Sequence, residues 1–335
     1  MHFTYYIGID ISKETFDFCI LDENSKEVER GAAKNNPKSI RSWIEALQDS
    51  VDWDRTLVCM EHSGFYSANL LRLLHNDTEG SIWLENAVQI KRSMGLQRGK
   101  DDRTDALRIA RYSLDFQRRL RKWVPLDKNI EKLGILISHR DRLVKNKGSI
   151  SLGLNEQKGF VCSGLQSEME ELTMPLLLEM ERTIAKIENE IKELIGSDEN
   201  LSRQAEIITS IPGFGPVIAS KMIGVTAGFS RLNNPRALAC YAGVAPFDHS
   251  SGTSVKRRAR VSHIANKEIK KMLHLAALVA IRKNGIMHDY YTRKVAEGKN
   301  KMAVINAVRN KLIHLLTACI KNDTTYIKNY QHKLA

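Results

Sequence analysis

Two short apolar runs near the start of the chain constrain its fold more than any other feature. The first is YYIGIDI (residues 5–11), and the second is TFDFCIL (residues 15–21), in which buried-type residues alternate with others. Alternation with a period of two is the pattern of a β-strand that buries one face. Because only residues 12–14 separate the two runs, the sequence predicts a β-hairpin with a tight turn.

Strands and helices then alternate along the chain. Residues 37–48 have a helical pattern with Pro37 at its start, TLVCMEH (56–62) is typical of a short buried strand, residues 67–75 of a helix, and SIWLE (81–85) of another strand. The chain thus begins with consecutive strands and continues with alternating helices and strands. This order favours a mixed, three-layer α/β domain. We expect this domain to end near Pro125.

Four carboxylates fall at informative places in this pattern. Asp10 lies within the first strand, and Glu61 ends the strand 56–62, at the sheet edge where α/β proteins bind ligands. Asp102 and Asp105 are three residues apart at the start of a predicted helix and therefore share one face. Together they suit two hard divalent cations, Mg²⁺ or Mn²⁺, bound by oxygen ligands. Taken singly, each also fits a structural role as a hydrogen-bonded strand residue, a solvated strand end or a helix cap.

The charge of +12 is unevenly distributed. Residues 89–123 hold eleven basic and four acidic residues, and residues 256–283 hold nine basic and one acidic, whereas residues 163–200 hold ten acidic and three basic. Two basic blocks indicate two surfaces for a phosphate backbone, although either block alone is also typical of a solvated helix face. The predicted phosphate contacts are a basic helix with Arg108, Arg111, Arg118, Arg119, Arg121 and Lys122, and a later segment with Lys256, Arg257 and Arg258.

An apolar seam runs through the acidic segment. Its members recur at alternating spacings of three and four: Leu177, Met180, Ile184, Ile187, Ile191 and Leu194. This spacing predicts a coiled coil. Its partner is either the weaker helical pattern around residues 130–144 or the same segment of a second subunit. The Gly- and Ser-rich residues 148–164 are predicted to form a turn or a loosened joint.

Two further motifs follow the predicted coiled coil. Residues 207–225, IITSIPGFGPVIASKMIGV, resemble a helix-hairpin-helix, whose glycines would let backbone N–H groups approach a DNA phosphate; a plain helix connection is the alternative. Farther on, a Ser-Ser-Gly stretch at residues 250–252 precedes a basic segment. By itself this stretch is typical of a flexible loop.

Three segments carry a family resemblance: GIDISK (8–13), CMEHSG (59–64) and KDDRTDA (100–106). They resemble the Asp-Glu-Asp-Asp pattern of the RuvC-like, RNase H-fold transposases of one class of bacterial insertion sequences, described as bridge-RNA-guided recombinases. The resemblance maps Asp10, Glu61, Asp102 and Asp105 onto the metal-binding carboxylates and leaves Asp101 out. It also maps Ser251 onto the catalytic serine of the family, with Ser250 and Ser254 as close neighbours.

The resemblance implies an α/β plus all-α protein with three parts. These are an RNase H-like (RuvC-like) catalytic domain at residues 1–125, a coiled-coil segment at 126–198, and a helical, serine-bearing transposase domain at 199–335. The implied function is Mg²⁺- or Mn²⁺-dependent cleavage and exchange of DNA strands, guided by RNA and carried out by a dimer or tetramer.

Two other functions fit part of this pattern, and a third does not. A Holliday-junction endonuclease of the RuvC type would use the same carboxylates with water as nucleophile, and a nucleic-acid scaffold would need no catalysis. A sugar kinase or actin-like ATPase is disfavoured because residues 12–14 are Ser, Lys and Glu where its phosphate loop needs Gly and Thr. No apolar run reaches the roughly eighteen residues of a membrane span and no signal segment is evident, so we expect a cytoplasmic protein without a membrane partner.

Overall fold

The computed structural model describes residues 2–93, 102–251, 255–262, 264–283 and 285–328, apart from the side chains of residues 102, 103, 248–251 and 255–260. The chain forms two compact units, Met1–Pro125 and Leu126–Ala335. The first is a mixed α/β structure and the second is mainly helical. The division into domains 1–125, 126–198 and 199–335 stays a prediction.

A five-stranded mixed sheet forms the middle of the first unit. Its strands are β1 (Tyr5–Ile11), β2 (Thr15–Asp22), β3 (Glu27–Lys34), β4 (Thr56–Glu61) and β5 (Ser81–Glu85), in the order β3-β2-β1-β4-β5. The pairs β1–β2 and β2–β3 are antiparallel, and β1–β4 and β4–β5 are parallel. The predicted hairpin is confirmed, with Tyr5 opposite Asp22 and Ile11 opposite Phe16.

Helices cover both faces of this sheet. They are α1 (Pro37–Ala46), α2 (Ala68–Asp77), α3 (Ala87–Ser93) and α4 (Asp102–Asp115). Ile7 and Ile9 of β1 belong to the apolar core that contains the buried residues of α1 and α2, whereas Tyr6 belongs to the core that contains those of α4. The sheet is therefore the central layer of three, as the alternation of its side chains requires.

Gly8 lets α4 lie directly against the centre of β1. A Cβ atom on Gly8 would stand 2.1 Å from the backbone nitrogen of Ala110 and 2.2 Å from the carbonyl oxygen of Ala106. Both are backbone atoms of α4, so no side chain can move aside to make room. The absence of a side chain at this position sets the distance between the helix and the sheet.

The first unit contains one strand that the sequence did not predict, and one predicted helix was wrong in its extent. The edge strand β3 has little apolar pattern because it is mostly exposed and polar, which is how edge strands avoid pairing with other chains. The predicted basic helix ends at Asp115, before Arg118, Arg119, Arg121 and Lys122. A short 3₁₀ turn (Gln117–Arg119) follows it, and the chain then runs beside β5, where Trp123 N donates to the carbonyl of Ile82 at 2.7 Å.

Two long helices begin the second unit, α5 (Lys128–Gln157) and α6 (Ser163–Gly196). They pack against each other as an antiparallel pair, because Lys132, Arg140 and Lys147 of α5 form ion pairs with Glu190, Glu188 and Glu181 of α6 in that order. The α6 seam thus has an intramolecular partner, and its residues Leu177, Ile191 and Leu194 are buried. That the pair is a coiled coil stays a prediction.

The turn predicted at residues 148–164 is much shorter in the structure. Helix α5 continues to Gln157, so Gly148 and Gly153 are helical, and the connection to α6 spans only residues 158–162. Each helical glycine costs about 1 kcal/mol relative to alanine. Packing against α6 offsets this local cost, which composition alone does not reveal.

The rest of the second unit is a helical core with one small sheet. Its elements are α7 (Glu199–Ser210), α8 (Pro216–Thr226), α9 (Pro235–Tyr241), β6 (Pro246–Ser251), β7 (Val255–Val261), α10 (Lys267–Arg282), α11 (Ile286–Ala296) and α12 (Lys301–Lys321). The antiparallel β6–β7 pair corrects the prediction of a wholly helical C-terminal domain. Among the described residues, α12 is long and apolar enough to cross a membrane, but half of that stretch is buried inside the protein.

The glycine-rich turn between α7 and α8 packs on α10. Gly213 has a φ of 90°, and a Cβ atom on it would lie 2.3 Å from the carbonyl oxygen of Ala276. This glycine therefore serves both the left-handed turn and a close helix contact.

The Gly8 contact predicts a sharp stability loss. We expect Gly8→Ala to lower the free energy of unfolding by about 2 kcal/mol or more, because α4 must move off β1 to admit the methyl group. Urea denaturation followed by tryptophan fluorescence measures this change. Gly148→Ala is the control: it is a helical position with nothing within 4 Å of the added methyl group, and it should gain about 0.5–1 kcal/mol. Wild-type stability of Gly8→Ala would contradict the described packing.

Candidate active site

Asp10 and Glu61 lie side by side at one end of the sheet. The parallel strands β1 and β4 pair Ile9 with Met60, and Asp10 and Glu61 are the next residue on each strand. Side chains alternate along a strand, so Asp10 is on the face of Gly8, which is the face that contacts α4. Glu61 is on the same face, because it is two residues after Cys59, whose side chain is in the α4 core.

Helix α4 brings a third carboxylate to this end of the sheet. The pKa of Glu61 is raised by burial, then by the negative charges of Asp10 and Asp105, while Lys91 partly offsets the rise. Negative charges that raise the pKa of a carboxyl group in this way lie near it. The structure therefore places three of the four predicted carboxylates at one end of the sheet.

Asp102 is the first residue of α4, and its side chain lies outside the described part of the structure. Its place three residues before Asp105 puts it on the same helix face. Asp101 lies outside the described residues altogether. Among the described side chains, no three His, Cys, Asp or Glu residues are grouped tightly enough to hold a metal ion.

Arg108, a predicted phosphate contact, forms an ion pair within its own helix. Its Nη1 donates to Asp105 Oδ1 at 2.5 Å, and both side chains are partly buried. The helical spacing of three makes this pair, which the count of charges in the segment did not indicate. The remaining basic residues of the segment are exposed: Arg111, Arg118, Arg119, Arg121 and Lys122. Of these, Arg119 lies over the ring of Phe116, 4.7 Å from its centre.

A further carboxylate at this edge, Glu85, was missed from the sequence. It ends β5 and pairs in register with Glu61, so it stands at the same end of the sheet. Tyr112 of α4 donates its hydroxyl to Glu85 Oε2 at 3.2 Å, and burial followed by the charge of Glu85 raises the pKa of Tyr112 to about 12. The rule that selected Glu61, an acidic residue at the end of a buried strand, would also have selected Glu85 in SIWLE.

Ser251 is the last residue of β6 and pairs with Val255 at the start of β7. Ser250 pairs with Lys256, and His249 with Arg257; Arg258 is the next residue of β7. The side chains of these residues and all of Ser254 lie outside the described part of the structure. The backbone places the predicted serine and the predicted basic cluster on one hairpin.

Known proteins resemble this chain over both units. The family model "Transposase IS116/IS110/IS902 family" matches residues 205–292, and an IS110-type DEDD transposase model matches residues 7–154. The chain belongs to the IS110-type DEDD transposases. The matched ranges include β1, β4, α4 and the β6–β7 hairpin, which carry all of the predicted catalytic residues.

Curated relatives of this transposase extend over its whole length. The pilin gene-inverting protein of Moraxella lacunata is 26% identical over 332 residues, which cover 96% of this chain and 98% of the relative. The Moraxella bovis protein of the same name is 25% identical over equal coverage. The transposase for insertion sequence element IS1111A of Coxiella burnetii is 24% identical over 377 residues, covering 96% of this chain and 90% of the relative. The chain is thus a DNA transposase or recombinase.

The DEDD family implies dependence on a divalent metal. The carboxylates at this edge are the right residue type for such an ion, while the described side chains alone form no three-ligand site. Carboxylate oxygens are the ligands that hard divalent cations prefer. Burial is the largest cause of the raised pKa of Glu61, and the negative charges of Asp10 and Asp105 add to it. A bound cation relieves this repulsion, as the Arg108 guanidinium does for Asp105 alone.

The crowding of these charges predicts a pH effect on stability without metal. Because the pKa of Glu61 is raised in the folded state, folding takes up a proton between the ordinary and the raised value, and stability falls as the pH rises through that range. Glu61→Gln removes this fall. Since Glu61 is half-exposed, we expect the variant to exceed wild type by no more than about 1 kcal/mol at pH 7 in EDTA.

Urea denaturation of both proteins between pH 4 and pH 8 measures this difference. The two curves should converge at the acidic end, where Glu61 is protonated. A constant difference at all pH values would mean that Glu61 carries no electrostatic strain.

Proposed function

We propose that this transposase cuts and joins DNA strands at the end of the β1–β4 sheet, using Mg²⁺ or Mn²⁺ held by Asp10, Glu61, Asp102 and Asp105. One observation carries the proposal: carboxylates from two adjacent strands and one helix lie at the same end of the sheet, where burial and then the charges of Asp10 and Asp105 raise the pKa of Glu61. A structural role for each carboxylate alone does not account for their convergence. The finer assignment to an RNase H-like fold rests on this site, on the mixed sheet and on the DEDD family.

The side chains of this edge have separate roles in the proposal. Asp10 and Glu61 are fixed by the strands that carry them, and Arg108 orients Asp105 through its ion pair. Tyr112 holds Glu85 behind Glu61. When bound, the cation supplies Lewis-acid polarisation of the scissile phosphodiester and charge stabilisation in the transition state.

We propose Ser251 as the nucleophile. Its Oγ forms a bond to phosphorus as the bond from phosphorus to the leaving DNA oxygen breaks, and the leaving strand departs as a hydroxyl. The support is the family resemblance and the position of Ser251 at the tip of the β6–β7 hairpin, beside the strand that carries Lys256, Arg257 and Arg258. Cationic side chains near a phosphoryl group offset its developing charge.

Guidance by a structured RNA is also proposed. It is supported by the resemblance and by the exposed basic residues after α4, which suit a phosphate backbone. The glycine-rich α7–α8 turn is proposed as a helix-hairpin-helix contact to DNA. Sequencing the nucleic acid that co-purifies with the expressed protein tests the RNA. The absence of any defined RNA species would contradict this part.

We propose a homo-oligomeric, cytoplasmic protein, a dimer or tetramer, joined through an α5–α6 coiled coil. Apolar side chains along the part of this pair farthest from the helical core stay exposed: Leu152, Leu165, Leu172 and Leu176. Exposed apolar stripes of this kind are common at protein interfaces. Sedimentation of the full chain measures the oligomeric state.

The carboxylates provide the main test. We expect Asp10→Asn or Glu61→Gln to lower strand cleavage about a thousandfold or more while the fold is retained, because each removes a ligand worth several kcal/mol in the transition state. Asp115→Asn, at the exposed end of α4, is the matched control and should cleave normally. Full cleavage in EDTA would contradict the metal site and favour a nucleic-acid scaffold.

The nucleophile has a separate test. Ser251→Ala should bind DNA normally but form no covalent protein–DNA adduct, since no hydroxyl is left to attack phosphorus. Ser250→Ala and Ser254→Ala should both still form the adduct, which gel electrophoresis under denaturing conditions detects. Cleavage by Ser251→Ala at the normal rate would mean that water attacks, as in an endonuclease of the RuvC type.

A further inference from the structure

Two aromatic side chains stand exposed immediately after Glu61. The 3₁₀ turn Gly64–Ser67 follows β4 and carries Phe65, which is 70% exposed, and Tyr66, which is 48% exposed. Phe65 is only four residues from Glu61, within about 14 Å even for a fully extended chain. A single exposed aromatic side chain is ordinary. Two neighbouring exposed rings beside several carboxylates indicate a contact with another molecule.

The turn is fixed to the sheet edge. The side-chain amide of Asn35 donates from one nitrogen to the carbonyl of Ser12 at 3.0 Å and to the carbonyl of Tyr66 at 2.9 Å. Ser12 lies two residues after Asp10, so one amide joins the loops that follow both carboxylate-bearing strands. Within the turn, Ser67 Oγ donates to the Gly64 carbonyl at 3.0 Å.

The beginning of the turn is held as well. His62 N donates to the carbonyl of Glu85 at 2.9 Å, which continues the pairing of β4 with β5 by one residue. The backbone N of Asn35 in turn donates to the Glu14 carbonyl at 2.8 Å. Hydrogen bonds therefore hold the turn that carries Phe65 and Tyr66 in a fixed position at the sheet edge. The rings remain exposed there, although burying them would stabilise the fold.

The chemistry of the substrate indicates what these rings contact. DNA offers phosphates, sugars and the flat faces of bases, and the rings of Phe and Tyr suit the last of these. Base faces become accessible only where strands are unpaired or unstacked. Strand exchange by a transposase requires such unpaired bases next to the scissile phosphate.

We propose that Phe65 and Tyr66 form a stacking platform for an unpaired nucleobase of the DNA strand that lies at the carboxylates. The proposal rests on the proposed function only in placing that strand at Asp10 and Glu61. Stacking is tolerant of base identity, so the platform positions the strand without reading its sequence. Asn35 is a positioning residue, because its side chain holds the turn in place, whereas only the two rings contact the base.

The test is a titration of the full-length protein with a short single-stranded oligodeoxynucleotide that carries the fluorescent base aminopurine, in EDTA to prevent cleavage. Wild-type protein should quench the fluorescence on binding, since stacking on an aromatic ring does so. Phe65→Ala should weaken binding about tenfold and reduce the quenching. Phe65→Trp should restore both, whereas Phe65→Leu, which is apolar but has no ring, should behave as the alanine variant.

The salt dependence of binding separates stacking from charge. Phosphate contacts set the slope of affinity against salt concentration. The Phe65 and Tyr66 variants should therefore lose affinity with an unchanged slope. Phe160→Ala, which removes a ring that is 91% exposed in the turn between α5 and α6, is the matched control and should bind as wild type. Asn35→Ala should lose part of the quenching while keeping both rings.

The outcome is independent of the carboxylate assignment. Asp10→Asn should lose cleavage yet keep aminopurine quenching, so a failure of the metal site and a failure of the platform give different results. Unchanged affinity and quenching in the Phe65→Ala, Tyr66→Ala double variant would overturn the proposal. A double variant that binds the oligonucleotide normally but sediments at a lower mass would overturn it in favour of a protein interface.

Discussion

The approach of α4 to β1 at Gly8 is the contact on which the candidate active site depends. Asp10 and Glu61 are set by the pairing of β1 with β4, but Asp105 belongs to a helix, and a helix has no register with a sheet. The lack of a Cβ atom on Gly8 lets the backbone of Ala106 and Ala110 approach β1 closely, and this approach fixes the distance of the helix from the sheet. Because no deformable side chain lies between, the position of Asp105 is set by main-chain atoms, which move least in a folded protein.

Electrostatics and packing oppose each other at this edge of the sheet. Burial raises the pKa of Glu61 most, the charge of Asp10 raises it next, and Asp105, which close packing of α4 brings near, raises it further. The Arg108–Asp105 ion pair neutralises one of the charges from within the same helix. Placing these carboxylates near one another costs electrostatic energy in the folded protein. A bound cation would remove that repulsion, so the arrangement suits a cation.

An ion network with a buried lysine at its centre joins the helices of the second unit. Lys221 of α8 is 7% exposed and pairs with Asp141 of α5 and with Glu268 in the first turn of α10. Its pKa is raised: burial, the largest influence, lowers it, but hydrogen bonds to both carboxylates together raise it by more. Removing one partner from such a group is costly, so the network fixes how α5 meets the helical core.

Local pattern determined much of the first unit. The β1–β2 hairpin, the strands β4 and β5 and the carboxylates Asp10 and Glu61 followed from a period of two and from the rule that ligands bind at the ends of parallel strands. Strand β3 was not predicted, because an exposed edge strand has little apolar pattern. Glu85 ends a buried strand as Glu61 does, so the same rule predicts it.

The sequence by itself determined most strands and helices of the first unit and the acidic residues Asp10 and Glu61 at the strand ends, since periodicity and propensity are properties of neighbours along the chain. Only the tertiary structure decided that α4 ends at Asp115, that Gly148 and Gly153 are helical, and that Asn35 joins the two loops after Asp10 and Glu61. Each of these depends on a distance between segments remote in sequence or on packing that outweighs local propensity. Such distances are set by close packing, which no single segment encodes.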